Sequence, residues 1–400
     1  MARIVMCKGN FRYGGGDVFL DRITKAFAEL GHDTYLIDLS KPVEEVGLHV
    51  NELLAQHNYF YFSFNCMNAV FPVKGRRVNV HEMLGLPWMT SLIDHPLYHL
   101  ENLGKKDMLV TCVDYSHAQF LRDHFKGRRN VAFLPHGGSR ASEGDPASDD
   151  RPIDVLFSGS CILPDPEAYR NNWGQFPAKV RQFMQDVADL ALTRETMPVE
   201  QLANEVLESY DIWLEDEIHR KLIRLLFQVD MYIRGRRRIN ALKELDASGV
   251  AVDIFGQDWE SGLFRNHRIH GPMEREAMLK TMTQAKVVLN LGPNFPNGSH
   301  ERVFSAQLNG AVSLTDRNPY FEREFQDGRD LLMYDWTNLS HVREVLDELL
   351  ANPERRRDIA ASGRAIAEQK HTWLVRVQRI MDLMELYKGA ALMRVATAGG

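Results

Sequence analysis

Cysteine is scarce in this 400-residue chain: the four present, Cys7, Cys66, Cys112 and Cys161, are scattered and form no Cys-x-x-Cys pair. That argues against a disulfide framework or zinc ribbon and for buried thiols in a reducing compartment. Long apolar runs are missing too. No segment approaches the roughly 20 apolar residues that cross a bilayer, and Ala2-Arg3-Ile4-Val5-Met6 runs straight into Lys8 and Gly9 without a targeting core. The expectation is a cytoplasmic protein with no transmembrane segment. Nor is there an excess of positive charge: at a formal net charge of −6, bulk attraction to nucleic acid or acidic lipid is not expected, and no nucleic-acid partner is assigned. Asp-x-Asp, a common metal-binding signature, does not occur, so a metal-independent reaction with no metal site and no cofactor is expected.

What is present is ordinary for a globular protein, with 44% apolar and 26% charged residues. Four hundred residues exceed what one core usually accommodates, and two domains are expected. Residues 1–138 alternate strand and helix: strands at Ile4–Cys7, Thr34–Ile37, Tyr59–Phe64, Trp88–Ile93, Leu109–Cys112 and Val131–Leu134, and a helical spacing from Val18 to Leu30. Such alternation implies an α/β fold with a parallel sheet covered on both faces. Between the first strand and helix lie Gly14, Gly15 and Gly16, which permit either close approach to a ligand or only a tight turn. Their spacing matches neither the dinucleotide fingerprint nor the phosphate loop. The strand ending Ile93 delivers Asp94 and His95 to its carboxyl end, a candidate acid/base pair. The plainer reading is a turn in which His95 is hydrogen-bonded locally.

Residues 139–152 hold almost nothing that would enter a core and read as a linker. The pattern restarts with the strand Ile153–Phe157 and the turn Ser158-Gly159-Ser160, a second candidate phosphate-facing loop. A helical insertion then occupies about 167–245. Within it Arg234, Arg236, Arg237 and Arg238 form the strongest basic cluster, read as a solvated face paired with acids, with diphosphate contact as the alternative. Alternation resumes at Val250–Phe255, followed by Gly256 and by Ile269-His270-Gly271-Pro272. A nucleoside base is expected near Phe255 or near His270 and Gly271.

The stretch with the strongest chemical signal is Gly298-Ser299-His300-Glu301-Arg302-Val303-Phe304, which follows the strand Ala285–Leu291. Ser299 is expected to cap a helix, so that free amides, the helix dipole and the Arg302 guanidinium all face an anion. The continuation Leu308-Asn309-Gly310-Ala311-Val312-Ser313-Leu314-Thr315-Asp316 completes half a βαβ unit, with Asn290 and Thr315 at strand ends where open parallel sheets bind ligands.

With these residues in view, the chain resembles the GT-B glycosyltransferases, specifically the group-1-like C-terminal domain of the spore-maturation CgeB-like family. The resemblance is densest from Val287 to His371, through Glu301-Arg302-Val303-Phe304, Asn309-Gly310-Ala311, Thr315-Asp316, Phe325 to Tyr334, Asn352-Pro353-Glu354, Ser362-Gly363-Arg364 and His371-Thr372. It implies two Rossmann-like domains facing a cleft. Residues 1–138 would be the acceptor side, 153–372 the nucleotide-sugar side with its insertion, and 373–400 a helix returning to the first domain, plus a tail. It also implies a nucleotide-diphosphate sugar donor, a UDP-sugar first among them, and a saccharide, protein or cell-envelope acceptor. Many relatives place a ribose-binding glutamate where this chain has Ser305, so Glu301, one turn earlier on the same face, is the expected substitute. The expected donor-binding set is thus Gly14, Gly15, Gly16, Ser158, Gly159, Phe255, Gly256, His270, Gly271, Asn290, Gly298, Ser299, His300 and Arg302, with His95, Asp94 and Glu301 as catalytic candidates.

Transfer of a sugar needs a stabilised leaving diphosphate, which fixed amides and Arg302 supply. Two other classes share such a fold: a nucleotide-sugar epimerase or hydrolase, which turns over donor alone, and a non-catalytic nucleotide-sugar-binding protein, which never turns over.

Overall fold

Near-continuous apolar runs, not alternating ones, form the strands in both halves of the chain, as expected where parallel strands are buried on both faces. The computed structural model describes residues 2–9, 15–68, 70–73, 76–104, 108–125 and 130–398. The chain divides into two compact units, Met1–Gly137 with Thr372–Gly400, and Gly138–His371.

In the first unit the strands are β1 (Arg3–Lys8), β2 (Asp33–Asp38), β3 (Phe60–Phe64), the short β4 (Val70–Val73) and β5 (Arg76–Asn79), β6 (Trp88–Leu92), β7 (Met108–Cys112) and β8 (Val131–Phe133). Among the described residues, six of these make one sheet in the order β2-β1-β3-β6-β7-β8, all neighbours parallel. β4 and β5 form a separate antiparallel ladder that the strand–helix alternation does not predict. Polar residues inside the sheet satisfy one another: Trp88 Nε1 donates to Ser63 Oγ at 3.0 Å, and Ser63 Oγ donates to Thr90 Oγ1 at 3.2 Å. The helix Gly15–Glu29 and the helix Trp373–Ala398 cover this sheet, with Phe19, Phe64 and Trp373 in one aromatic cluster.

The second unit contains β9 (Ile153–Ser158), β10 (Asp253–Phe255), β11 (Arg268–Gly271), β12 (Ala285–Leu289), β13 (Val312–Asp316) and β14 (Leu332–Tyr334), in the parallel order β11-β10-β9-β12-β13-β14. Numbered within the unit this is 3-2-1-4-5-6, the dinucleotide-fold order, and its direction reverses between β9 and β12. Between β9 and β10 run the helices Pro166–Asn171, Ala178–Leu192, Val199–Ser209, Asp216–Ile223 and Leu226–Ala247. Ala178–Leu192 and Val199–Ser209 bury apolar stripes, whereas Leu226–Ala247 is buried on nearly every side.

The stretch 139–152 is not a free tether, because it is hydrogen-bonded to the rest of the second unit, of which it forms the start. Ser139 N donates to Ser305 Oγ at 3.0 Å and Ala141 N to Asn309 Oδ1 at 2.8 Å. Arg151 is buried and gives its donors to backbone carbonyls: Nε to Ser148, Nη1 to Met282 and Ala285, Nη2 to Pro146 and Asn309. Its composition looked like a linker because polar bonds to carbonyls, not apolar contacts, hold it in place.

Gly310 makes this packing possible. It sits at φ +74°, and a Cβ there would lie 1.8 Å from the Pro146 carbonyl oxygen. Gly310→Ala is expected to destabilise the protein by at least about 1–2 kcal/mol from the left-handed backbone alone, and by more because the obstructing atom is backbone. A urea-unfolding midpoint unchanged from wild type would contradict this.

Candidate functional site

The reversal point of the second sheet gathers the charged groups. Phe157, near the end of β9, is fully buried, and two guanidinium groups lie against its ring: Arg302 at 5.5 Å and Arg238 at 5.7 Å from the ring centroid. Arg302 opens the helix Glu301–Leu308, and its Nη1 donates to Asn290 Oδ1 at 2.6 Å. Asn290, just beyond β12, is held in turn by its Nδ2 on Thr315 Oγ1 at 3.0 Å. Arg238 comes from the long insertion helix and donates from Nη1 to the Ser160 carbonyl at 2.8 Å. Burial, with the Arg302 and Arg234 charges beside it, pushes Arg238 down to about 9. Burial likewise brings Arg302 to about 10, although Glu301 opposes the shift. Two cations withdrawn from water and set against each other favour an anion between them.

The basic cluster therefore splits. Arg236 meets Glu167 at 3.3 Å, as a solvated face would have it, while Arg234 lies 3.9 Å from Asp230, which is buried. Arg237 and Arg238 are instead buried, because the helix that carries them is packed on nearly all sides and Gly235 lets it lie against Leu163. Arg237 Nη1 donates to Thr196 Oγ1 at 2.8 Å. Sequence reasoning noted these arginines but assigned them to solvent. The available signal was the run of Val229, Tyr232, Ile233, Ile239 and Leu242, which leaves the helix no wholly polar side.

The helix start departs from expectation. His300, not Ser299, is the cap: its Nδ1 accepts from Arg302 N at 3.2 Å. Ser299 is fully buried one residue earlier, and its hydroxyl has no hydrogen-bond partner among the described residues. The Gly298 carbonyl accepts from Asn318 Nδ2 at 3.1 Å, which ties down the loop. Glu301 is buried and ion-paired with Arg275, and Ser305 Oγ donates to its Oε2 at 2.7 Å. Burial resists its ionisation, yet Arg275, His300 and Arg302 together hold the carboxyl well below its usual range. Ser305 thus joins Glu301 to the 139–152 stretch. Asp316, at the end of β13, accepts from Gly292 N at 3.2 Å, and burial pushes it up to about 6 against the pull of those amides and Arg237.

The glycine turns are built for contact between loops. A Cβ on Gly256 would lie 2.2 Å from the Gly159 carbonyl oxygen, and one on Gly159 would lie 2.7 Å from the Phe157 ring. Both glycines bring the turns after β9 and β10 together at the reversal point, with Ser158 closing β9. His270 stacks on Phe255 at 4.4 Å and 10°, its Nε2 bonded to Asp253 Oδ1 at 2.6 Å, and Gly271 takes a positive φ of 75° at the end of β11. One face of Phe255 is therefore already occupied by His270. In the first unit, Gly14 lies outside the described residues, and Gly15 and Gly16 are in the first turn of the helix Gly15–Glu29.

Asp94 and His95 also belong to the first unit. Asp94 accepts from Asn65 Nδ2 at 3.0 Å. His95 is buried at 3% exposure, caps the 3-10 turn Pro96–His99 by accepting from Leu97 N at 3.1 Å, and meets the His117 ring at 4.3 Å. Pro96 turns the chain immediately, so the His95 ring folds back on its own backbone. A third ring, His99, is lowered by burial against the Asp94 charge.

Residues 234–382 match the family model described as glycosyl transferase-like. No curated protein matches the chain. Solved structures align over nearly its whole length. Sucrose-phosphate synthase from Thermosynechococcus elongatus is 11% identical over 98% of this chain and 100% of that one, with a TM-score of 0.50. The Anabaena protein HepE, solved with UDP and glucose, is 11% identical over 96% and 100%, at 0.52. The DNA modifying enzyme β-glucosyltransferase is 12% identical over 96% and 100%, at 0.52. The fold is GT-B. Most of the matched glycosyl transferase-like segment lies in the second unit of this GT-B chain, and it contains Arg238, Asn290, Glu301 and Arg302.

Asp316 gives a pH signature. Its folded value of about 6 lies above the ~3.9 of an unfolded aspartate, so its contribution to stability is fully present below pH ~3.9 and is lost as pH rises through about 6. Measured as melting temperature, wild type should lose ground to Asp316→Asn between about pH 4 and about pH 6.5. A constant difference across that window would refute the assignment.

Proposed function

We propose that the chain is a glycosyltransferase that moves a sugar from a UDP-sugar to a hydroxyl acceptor without a metal ion. The observation that carries this reading is the pair Arg238 and Arg302, buried against Phe157 where the second sheet reverses. A diphosphate between them offsets two buried positive charges at once. The reaction forms a bond from the acceptor oxygen to the anomeric carbon while the bond from that carbon to the diphosphate oxygen breaks. The electron pair leaves with the diphosphate, and the acceptor proton goes to a base. The growing charge on the leaving group falls to Arg302 and Arg238, which fixed neighbours already orient, so little reorganisation is needed.

UDP is the preferred nucleotide, a choice supported by HepE, solved with UDP and glucose, and by β-glucosyltransferase, studied with uridine diphosphoglucose. We assign the base to the region of His270 and Gly271, where the His270 side chain, 39% exposed, stacks on Phe255. Glu301 acts through Arg275 and the start of its helix, since its carboxylate is already paired. Metal independence is read from the sequence, which contains no Asp-x-Asp. No described helix is long and apolar enough to cross a membrane; we infer a cytoplasmic enzyme acting on a saccharide, protein or cell-envelope acceptor. The CgeB-like grouping rests on the resemblance of the Val287 to His371 segment. Asp94 and His95 remain the first unit's acid/base candidates, and unchanged turnover in His95→Gln would remove that role from His95.

The test is a thermal-shift and turnover panel of nucleotide diphosphates and their sugars, with and without EDTA. UDP should raise the melting temperature whether or not EDTA is present. Arg302→Gln and Arg238→Gln should each weaken UDP by about 10–100-fold, the loss of one charge-assisted contact of about 1.5–3 kcal/mol. No shift with any nucleotide, or shifts indifferent to both variants, would overturn the reading. Turnover of donor alone at the same rate as with acceptor would make the protein an epimerase or hydrolase instead.

A further inference from the structure

The opposite end of the second sheet carries another basic hollow, of about 210 Å³. One wall is formed where strands begin: Arg151 just precedes β9, and Lys286 is the second residue of β12. Asn290 of the candidate site follows the other end of that five-residue strand, roughly 15 Å away at 3.3 Å per residue. The facing wall is the helix Pro353–Lys370, where Arg356, Ala360 and Arg364 recur at every fourth position and so share a face. The alanine between the two arginines leaves space, and the guanidinium groups rim it.

The neighbouring acids leave positive charge uncompensated. Asp149 lines the hollow and takes Arg357 at 3.0 Å, Lys286 pairs with Asp154, and Arg364 lies 3.6 Å from Glu368. Arg356 makes no ion pair among the described residues, and its guanidinium donates to the Leu350 carbonyl at 3.5 Å. Arg151 also makes none, its donors being spent on carbonyls, so it contributes charge without competing for a ligand. Burial and the nearby Arg356 both depress its proton affinity. The volume is below the ~300 Å³ at which pockets for drug-sized ligands begin, which limits an occupant to about one or two phosphate groups.

We propose that this hollow binds a small phosphate-bearing anion, independently of the donor site, through Arg356 and Arg364. The probe is inorganic pyrophosphate, titrated calorimetrically into the full chain. Wild type should bind it, Arg356→Gln/Arg364→Gln should weaken that binding at least tenfold, and Arg302→Gln should leave a pyrophosphate site of unchanged affinity. Ala361→Glu, at an exposed position lining the hollow, sets a carboxylate there without touching the arginines and should weaken binding similarly. The variants' melting curves verify that they are folded. Absence of binding to wild type overturns the proposal. So does binding that Arg302→Gln abolishes while the Arg356/Arg364 pair and Ala361→Glu leave it intact, a result that would return pyrophosphate to the donor site.

Discussion

Two guanidinium groups buried against one phenyl ring are the constraint on which the second unit's organisation depends. Charge withdrawn from water must be compensated or discharged, and here the direct contacts of Arg302 and Arg238 are neutral oxygens of Asn290 and Ser160. The surrounding structure is devoted to keeping them in place. Thr315 orients Asn290, the Tyr334 hydroxyl donates to the Asn290 carbonyl at 3.0 Å, and Gly159 and Gly256 allow the two flanking turns to touch. The arrangement is preorganised for an anion because its cost is already met by folding.

Ser305 and the 139–152 stretch belong to the same device. The Ser305 hydroxyl serves two neighbours, donating to Glu301 and accepting from the Ser139 amide. A glutamate there would crowd Glu301 with a second buried carboxylate. The carboxylate at 301, with Arg275 opposite, instead steadies the first turn from which Arg302 projects. The serine at 305 is thus coupled to the path of the chain as it enters the second unit.

A Rossmann-like pair of units accommodates transferases, epimerases and binding proteins alike, so the fold leaves the chemistry open. The geometry narrows it at the reversal point of the second sheet, where charge and burial converge. His95 illustrates the difference: its ring is committed to a backbone amide and a packed histidine neighbour, whereas Arg302 is held by a side chain that leaves most of its donors unspent.

Strand order of occurrence, the helical insertion and the importance of the Gly298–Phe304 stretch were legible in the sequence, because apolar periodicity and glycine placement are local properties. So was the place of Arg302 at a strand–helix junction, since it lies in the first turn of the helix that follows β12. The cap was misassigned to Ser299, one residue too early, since serine and histidine both accept from a helix amide and only backbone angles separate them. The stretch 139–152 read as a tether because composition registers missing apolar residues and not hydrogen bonds to carbonyls far along the chain. Arg238 was hidden for the same reason. Its burial, its ring partner on β9 and its repulsive neighbour on another helix lie about 80 and 64 residues away, and such through-space electrostatics arise only when the sheet order brings those segments together.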